Sequence, residues 1–109
     1  MEKQHDALKR SEKRDQGFAH NLVLTVLRRL GHIDSILDYL LTAPLEKQMD
    51  RVLILLRLGT AQLLFLNTPS YAAVDRTVQL ATGKTEGYKG LVNAVLRRVA
   101  REKDVLLGK

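Results

Sequence analysis

The residues best suited to bind a ligand in this sequence are the arginines and lysines near its two ends. Residues 1–30 carry seven Lys and Arg against four acidic residues, and residues 84–109 carry seven against three. The segment between them, residues 31–83, carries four against five, so the net charge of +6 comes entirely from the ends. If the first and last helices pack side by side, they form one basic surface that fits a phosphate backbone. The alternative is a solvated charged face that keeps a small domain soluble.

The arginines of the last segment have the spacing of one helix face. Asn93, Arg97 and Arg101 recur every four residues opposite an apolar stripe, with Arg98 beside them and Lys89 at their start. The planar guanidinium group pairs well with phosphate, which predicts phosphate contacts along this face. These arginines also suit the C-terminal end of a helix, where positive charge is stabilising, and that structural role is the alternative. For Asn93 we favour a cap on a neighbouring segment over a contact with a ligand.

A second group of basic residues flanks the first long apolar segment. Lys13 and Arg14 precede it, and Arg28 lies on its outer face. The predicted contacts to nucleic-acid phosphates are Lys13, Arg14, Arg28, Lys89, Arg97, Arg98 and Arg101. Because no aromatic residue is interleaved with them to stack on bases, we expect these contacts to position a nucleic acid without reading its sequence.

Other patterns that could support catalysis or metal binding are weak. Gly83-Lys84-Thr85 resembles the end of a phosphate-binding loop, but Val78 stands where that loop needs its first glycine. The three histidines share no metal-ligand spacing, and the lack of cysteine excludes disulfides and thiolate metal sites. The acidic residues are dispersed, and no serine has the context of a nucleophile. The sequence therefore predicts no catalytic residue, no bound metal and no cofactor.

The elements that must position the basic residues are predicted to be helices. Apolar residues recur at intervals of three and four over residues 12–30, about 33–43, about 70–82 and about 88–103. A further apolar segment, Leu45 to Leu66, contains Gly59 and is either one kinked helix or two short ones. The glycine-rich stretch 83–90 is predicted to be a loop. With no alternating strand pattern, the fold class is all-α, a compact helical bundle.

Individual residues predict the ends of the helices and the core. Gly31 suits a left-handed C-terminal cap, Pro44 ends the second helix, and Thr68 or Ser70 caps the fourth. One core is expected to contain Leu22, Val26, Leu56, Leu63, Leu91, Val95 and Val99.

Length and composition indicate a single soluble domain. A chain of 109 residues suits one domain, which we place at 12–109 after a polar leader at 1–11. The polar start does not resemble a signal peptide, and the apolar run Val52 to Leu66 is too short to span a bilayer. We therefore expect no membrane association. The lack of cysteine is compatible with the cytoplasm.

Three segments follow one another in the sequence: RDQGFA with LRRLG at 14–31, LRLGTAQLLFL at 56–66 and GLVNAVLRR at 90–98, with the link TPSYAAVD at 68–75. In this order they resemble the NusB-like domain, in the version found at the N-terminus of RsmB/Fmu-type ribosomal RNA cytosine-5 methyltransferases. The resemblance implies a helical bundle of the antitermination-factor type with RNA as the usual partner. It implies a noncatalytic module that positions ribosomal RNA for a methyltransferase domain or partner. The alternatives are a module that holds a ribosomal protein or transcription factor, and a dimerisation domain.

Two departures from the family pattern qualify what the resemblance implies. Family domains usually begin with a further helix, whereas this sequence has only a short polar leader before the matched segment. We expect either reduced RNA affinity from that loss or an RNA site elsewhere on the domain. The groove left by the missing helix also fits a second copy of the chain, which would make a homodimer. The sequence also has no glycine-rich S-adenosylmethionine loop and no cysteine to attack a cytosine ring. The chain alone is therefore not expected to catalyse methyl transfer.

Overall fold

A computed structural model describes residues 16–42, 45 and 49–108 of the chain. The described residues form six α-helices and one 3-10 helix, with no β-strand among them. In chain order these are α1 (residues 16–28), α2 (Leu30–Leu40), α3 (Asp50–Phe65), α4 (Ser70–Gln79), the 3-10 helix (Gly83–Tyr88), α5 (Lys89–Arg101) and α6 (Lys103–Leu107). The prediction of an all-α bundle is confirmed.

Helix α3 is the central element, and it packs against α2, α4, α5 and α6. A helix with neighbours on several sides must be apolar on several faces, and α3 meets that requirement. Its buried residues are Val52, Leu55, Leu56, Gly59, Thr60, Ala61, Gln62, Leu63 and Leu64. Five of the seven predicted core residues are buried in one apolar cluster, and the other two, Val26 and Leu91, are partly buried and pack against it. The predicted core is therefore confirmed.

Gly59 lies inside α3, which is one continuous helix rather than two short ones. A Cβ atom at this position would lie 2.5 Å from Cδ1 and 2.6 Å from Cδ2 of Leu96 in α5. Distances this short leave no room for a side chain, so the glycine permits α3 and α5 to approach closely. This approach also determines which face of α5 turns away from the core.

Two predicted helix ends are wrong. Gly31 is not a left-handed cap, because α1 gives way to a turn at Arg29 and Gly31 lies in the first turn of α2. Because α2 starts at Leu30, it buries Ile33 and its apolar neighbours along one face. The free energy of that burial outweighs the tendency of Gly31 to end a helix. Neither Thr68 nor Ser70 caps α4: its N-cap position is Pro69, with no side-chain hydrogen bond.

The segment predicted to be a loop at 83–90 is more regular than its glycines suggest. Gly83 has a positive φ of 58°, and a 3-10 helix then runs to Tyr88. Its turn is held by Thr85, which is buried and whose Oγ1 donates a hydrogen bond to the carbonyl oxygen of Thr82 at 2.9 Å. This hydrogen bond orders the chain directly before α5. The glycine content of the segment did not predict it.

Several sequence predictions lie outside the described residues. They concern the leader at 1–11, the further helix at the start of the family domain, the basic residues Lys13 and Arg14, and the helix stop at Pro44. None of the described helices combines the length and the apolar character that a membrane crossing requires.

Candidate nucleic-acid interface

Helix α5 has a buried face and a polar face. Val92, Val95, Leu96 and Val99 are buried, and Leu96 makes the close contact with Gly59. Asn93, Arg97 and Arg101 lie on the other side of the helix, where both arginines are exposed and Asn93 is half-buried. The three residues therefore lie on one face of α5, as their spacing predicts.

The polar stripe forms one wall of a groove between α4 and α5. The opposite wall is one face of α4, which carries Tyr71 and Asp75, and the groove has a volume of about 760 Å³. Its lining residues are Ser70, Tyr71, Val74, Asp75, Val78, Asn93, Arg97, Ala100 and Arg101. A concave surface of this kind can surround part of a ligand, which a stripe on an isolated convex helix cannot do.

A buried polar contact between α3 and α4 helps to set the position of the α4 wall. Gln62 in α3 is buried, and its Nε2 donates hydrogen bonds to Oγ1 of Thr77 in α4 at 3.3 Å and to the carbonyl oxygen of Leu58 at 3.2 Å. Between the two helices, Asn67 adopts a left-handed conformation with φ of 54°. Asparagine tolerates this conformation better than most residues, so the chain can reverse there.

Asn93 contacts Arg97 within α5. Nε of Arg97 donates a hydrogen bond to Oδ1 of Asn93 at 3.2 Å, one helical turn away. The N-cap and C-cap residues of the described helices from α2 onward make no side-chain cap hydrogen bond, so the predicted cap by Asn93 is not found in that part of the chain. The bond with Asn93 uses Nε of Arg97 and leaves the terminal nitrogens of the guanidinium group to meet an acceptor in the groove.

The charges on the two walls differ in sign. Neither Arg97 nor Arg101 forms an ion pair with a carboxylate in the described part of the chain. The acidic residue of the groove, Asp75, accepts a hydrogen bond at Oδ2 from Nε2 of Gln79 at 3.0 Å. The groove therefore has a cationic wall on α5 and a carboxylate on α4.

The other predicted contact residues do not line this groove. Nε of Arg98 lies 2.6 Å from Oε2 of Glu102, and its guanidinium carbon lies 5.8 Å from the centre of the Tyr39 ring. Lys89 is half-buried at the start of α5, and Arg28 is exposed near the end of α1. Of the five predicted contact residues that the structure describes, the groove brings together Arg97 and Arg101.

Tyr71 is the groove residue that sequence reasoning missed. Its side chain is 81% exposed, although its helical spacing placed it with the apolar positions of the fourth helix. Ala73 and Thr77 are fully buried, and Tyr71 lies about 160° and 120° around the helix from them. Tyr71 therefore lies on the exposed side of α4, and it lines the groove together with Arg97 and Arg101. No aromatic residue is interleaved with these arginines in the sequence, but the fold brings Tyr71 to the groove that they line.

The histidines provide no metal centre in the described residues, which contain no group of three or more potential ligands. His32 packs against Phe65, with ring centres 5.6 Å apart, and its Nε2 is buried without a hydrogen-bond partner among the described residues. His20 is exposed in α1.

Comparison with known protein families identifies the family of this chain. Residues 1–101 match the NusB family. The chain belongs to the NusB family. The resemblance inferred from the three sequence segments is thus confirmed, and the family match also includes the residues before them. No solved structure matches the chain significantly.

Several curated relatives of this NusB-family chain carry the name ribosomal RNA small subunit methyltransferase B. The protein from Pasteurella multocida is 42% identical over 85 residues, which are 77% of this chain and 19% of the relative. That from Escherichia coli O1:K1 is 35% identical over 95 residues, 86% of this chain and 22% of the relative. That from Shigella boydii is 34% identical over 97 residues, 88% of this chain and 23% of the relative. The chain spans about a fifth of these relatives and matches their N-terminal region.

Proposed function

We propose that this NusB-family chain is an RNA-binding module that positions ribosomal RNA for a methyltransferase domain or a partner protein. The observation that carries the proposal is the pair Arg97 and Arg101 on one wall of the α4–α5 groove, without carboxylate partners among the described residues. The names of the relatives support ribosomal RNA as the class of nucleic acid. The proposed location is the cytoplasm, where ribosomal RNA is found.

Arginine is the appropriate residue for this role. Its guanidinium group stays charged and offers several donors in one plane, which match two phosphate oxygens. A phosphate that it neutralises releases bound counterions, so such contacts make the affinity depend on salt concentration. The net charge of +6 adds a long-range attraction for RNA.

In this proposal the chain contributes binding and not chemistry. Its sequence has no cysteine to attack a cytosine ring and no pattern for a cofactor loop. The chemistry would belong to a methyltransferase domain or partner that receives the RNA. The remaining predicted contacts, Lys13, Arg14, Arg28 and Lys89, would extend the basic surface beyond the groove.

The experiment is a salt-titrated binding assay with labelled ribosomal RNA fragments, read by fluorescence anisotropy. Replacing Arg97 and Arg101 together by Gln should weaken binding and reduce the slope of log affinity against log salt by about 1.4–1.8, because each phosphate contact contributes about 0.7–0.9. The matched control replaces Arg51 and Arg76, two exposed arginines that do not line the groove, by Gln. Equal slopes for the two double variants would show that the groove is not the RNA site.

A second candidate function is a protein-interaction or dimerisation module, of the kind used in antitermination. The observation that favours it is an exposed apolar stripe on α1, formed by Ala19, Val23 and Leu27 at intervals of four residues. Replacing Val23 and Leu27 by Glu tests this function by light scattering after size exclusion. If the parent is a dimer and the double variant is a monomer, this function is supported. If both chains are monomers, self-association through this stripe is excluded.

A further inference from the structure

Tyr71 is the most exposed of the aromatic residues that the structure describes. It is 81% exposed and has no hydrogen bond or ring contact with any residue that the structure describes. By contrast, Arg98 lies over the ring of Tyr39. The guanidinium carbon of Arg29 lies 5.2 Å from the centre of the Phe65 ring, which His32 also contacts. An open aromatic face beside unpaired arginines matches the arrangement that binds unpaired nucleotides.

From this juxtaposition we propose that the α4–α5 groove holds a single-stranded RNA segment, with one base stacked on Tyr71 and adjacent phosphates on Arg97 and Arg101. The proposal rests on the proposed function, since it requires that the groove bind RNA. It adds the strandedness of the RNA and a stacking residue to that function.

The charges of the walls give the bound strand one arrangement. Arg97 and Arg101 attract phosphates to the α5 wall, whereas the carboxylate of Asp75 repels them from the α4 wall. The backbone of the strand therefore follows α5, and its bases point toward α4. Tyr71 lies on that wall, where a base can reach it.

Double-stranded RNA does not fit this arrangement. Its bases are paired and stacked within the helix, and their faces cannot contact a side chain. The convex cylinder of a duplex would also meet only the rims of a concave site. A groove of about 760 Å³ is within the usual size range of small-ligand sites, so it suits one or a few unpaired nucleotides.

The test compares an unstructured RNA oligonucleotide with a duplex that contains the same sequence. We expect the parent chain to bind the single strand more tightly than the duplex. Tyr71→Ala should weaken binding of the single strand by about 5-fold to 150-fold, the usual effect of removing one stacking aromatic residue. Tyr71→Phe should bind nearly as the parent does, because it retains the ring face. Leu80→Ala, which alters another exposed residue outside the groove lining, should have no effect.

A spectroscopic readout separates stacking from an indirect structural role. With 2-aminopurine in the oligonucleotide, binding to the parent and to Tyr71→Phe should quench its fluorescence, whereas the complex with Tyr71→Ala at saturation should not. Circular dichroism should show that all variants fold, since Tyr71 is exposed.

The outcomes distinguish this proposal from the one on which it rests. Suppose that the parent binds RNA in a salt-dependent manner. If its affinities for duplex and single strand are equal, or if Tyr71→Ala has the affinity of the parent, stacking on Tyr71 is excluded and the proposed function stands. If the parent binds neither RNA, the proposed function fails as well.

Discussion

Leu96 of α5 packs directly on the backbone of Gly59 in α3, where a Cβ atom would lie 2.5 Å from Leu96 Cδ1. Leu96 is fully buried, so it cannot swing into solvent to make room. Gly59→Leu should therefore destabilise the fold by about 1–3 kcal/mol, the usual cost of overpacking a core. Thermal unfolding followed by circular dichroism measures the effect.

The matched control for Gly59 is Gly31, a helical glycine in α2 with nothing within 4 Å of an added Cβ atom. Gly31→Ala should leave stability unchanged or raise it by up to about 1 kcal/mol, because alanine favours the helix. A Gly59→Leu chain that melts at the parent temperature would contradict the close approach of the two helices.

Arg97 and Arg98 are adjacent in sequence but should respond differently to replacement. Arg97→Gln should reduce the salt slope of RNA binding by about 0.7–0.9 with little change in stability. Arg98→Gln should leave the slope nearly unchanged and cost up to about 1 kcal/mol of stability, because the side chain contacts Glu102 and Tyr39. Equal losses of slope would show that Arg98 also contacts RNA, as its sequence position predicted.

Asp75 should weaken RNA binding through its negative charge. Asp75→Asn removes the carboxylate from the α4 wall, and we expect RNA affinity to rise by up to about fivefold, or roughly 1 kcal/mol. Asp38→Asn makes the same charge change at an exposed position of α2 that does not line the groove. The difference between the two variants should shrink at high salt, where charges are screened. Identical affinities at low salt would place the phosphates away from Asp75.

A two-bond ion pair joins α2 to α3 and should be insensitive to pH over the ordinary range. Nε and Nη2 of Arg57 donate hydrogen bonds to Oδ1 and Oδ2 of Asp34, each at 2.8 Å. The hydrogen bond to Asp34 raises the pKa of Arg57, so the folded state favours the charged arginine. Its contribution is present below the unfolded pKa and is lost only when the pH rises through the higher folded value.

The measurement for this ion pair is a double-mutant cycle with Asp34→Asn and Arg57→Gln. For a partly exposed pair we expect a coupling of up to about 1 kcal/mol, constant between about pH 6 and 9. A coupling that disappears within this range would contradict the assigned pair.

Much of the local structure follows from the order of residues along the chain. The recurrence of apolar side chains at intervals of three and four predicts the helices, because a helix places such residues on one face. The same spacing placed Leu22, Leu56 and Val95 in one core, and it put Arg97 and Arg101 together on α5. Helix ends were less predictable, as Gly31 shows, because the burial of a whole apolar face can outweigh one residue's preference.

The groove itself required the tertiary structure. Periodicity states which residues share a face of one helix, but it does not state which helix that face will meet. The close contact of Leu96 with Gly59 sets the rotation of α5, and the hydrogen bond from Gln62 to Thr77 links α4 to α3. Together they bring Tyr71 beside Arg97, although the two residues are far apart in sequence. The sequence by itself determined that Arg97 and Arg101 share one face of the last helix. Only the packing of α4 and α5 on α3 decided that an aromatic ring accompanies them, because that proximity is a property of two helices and not of either one.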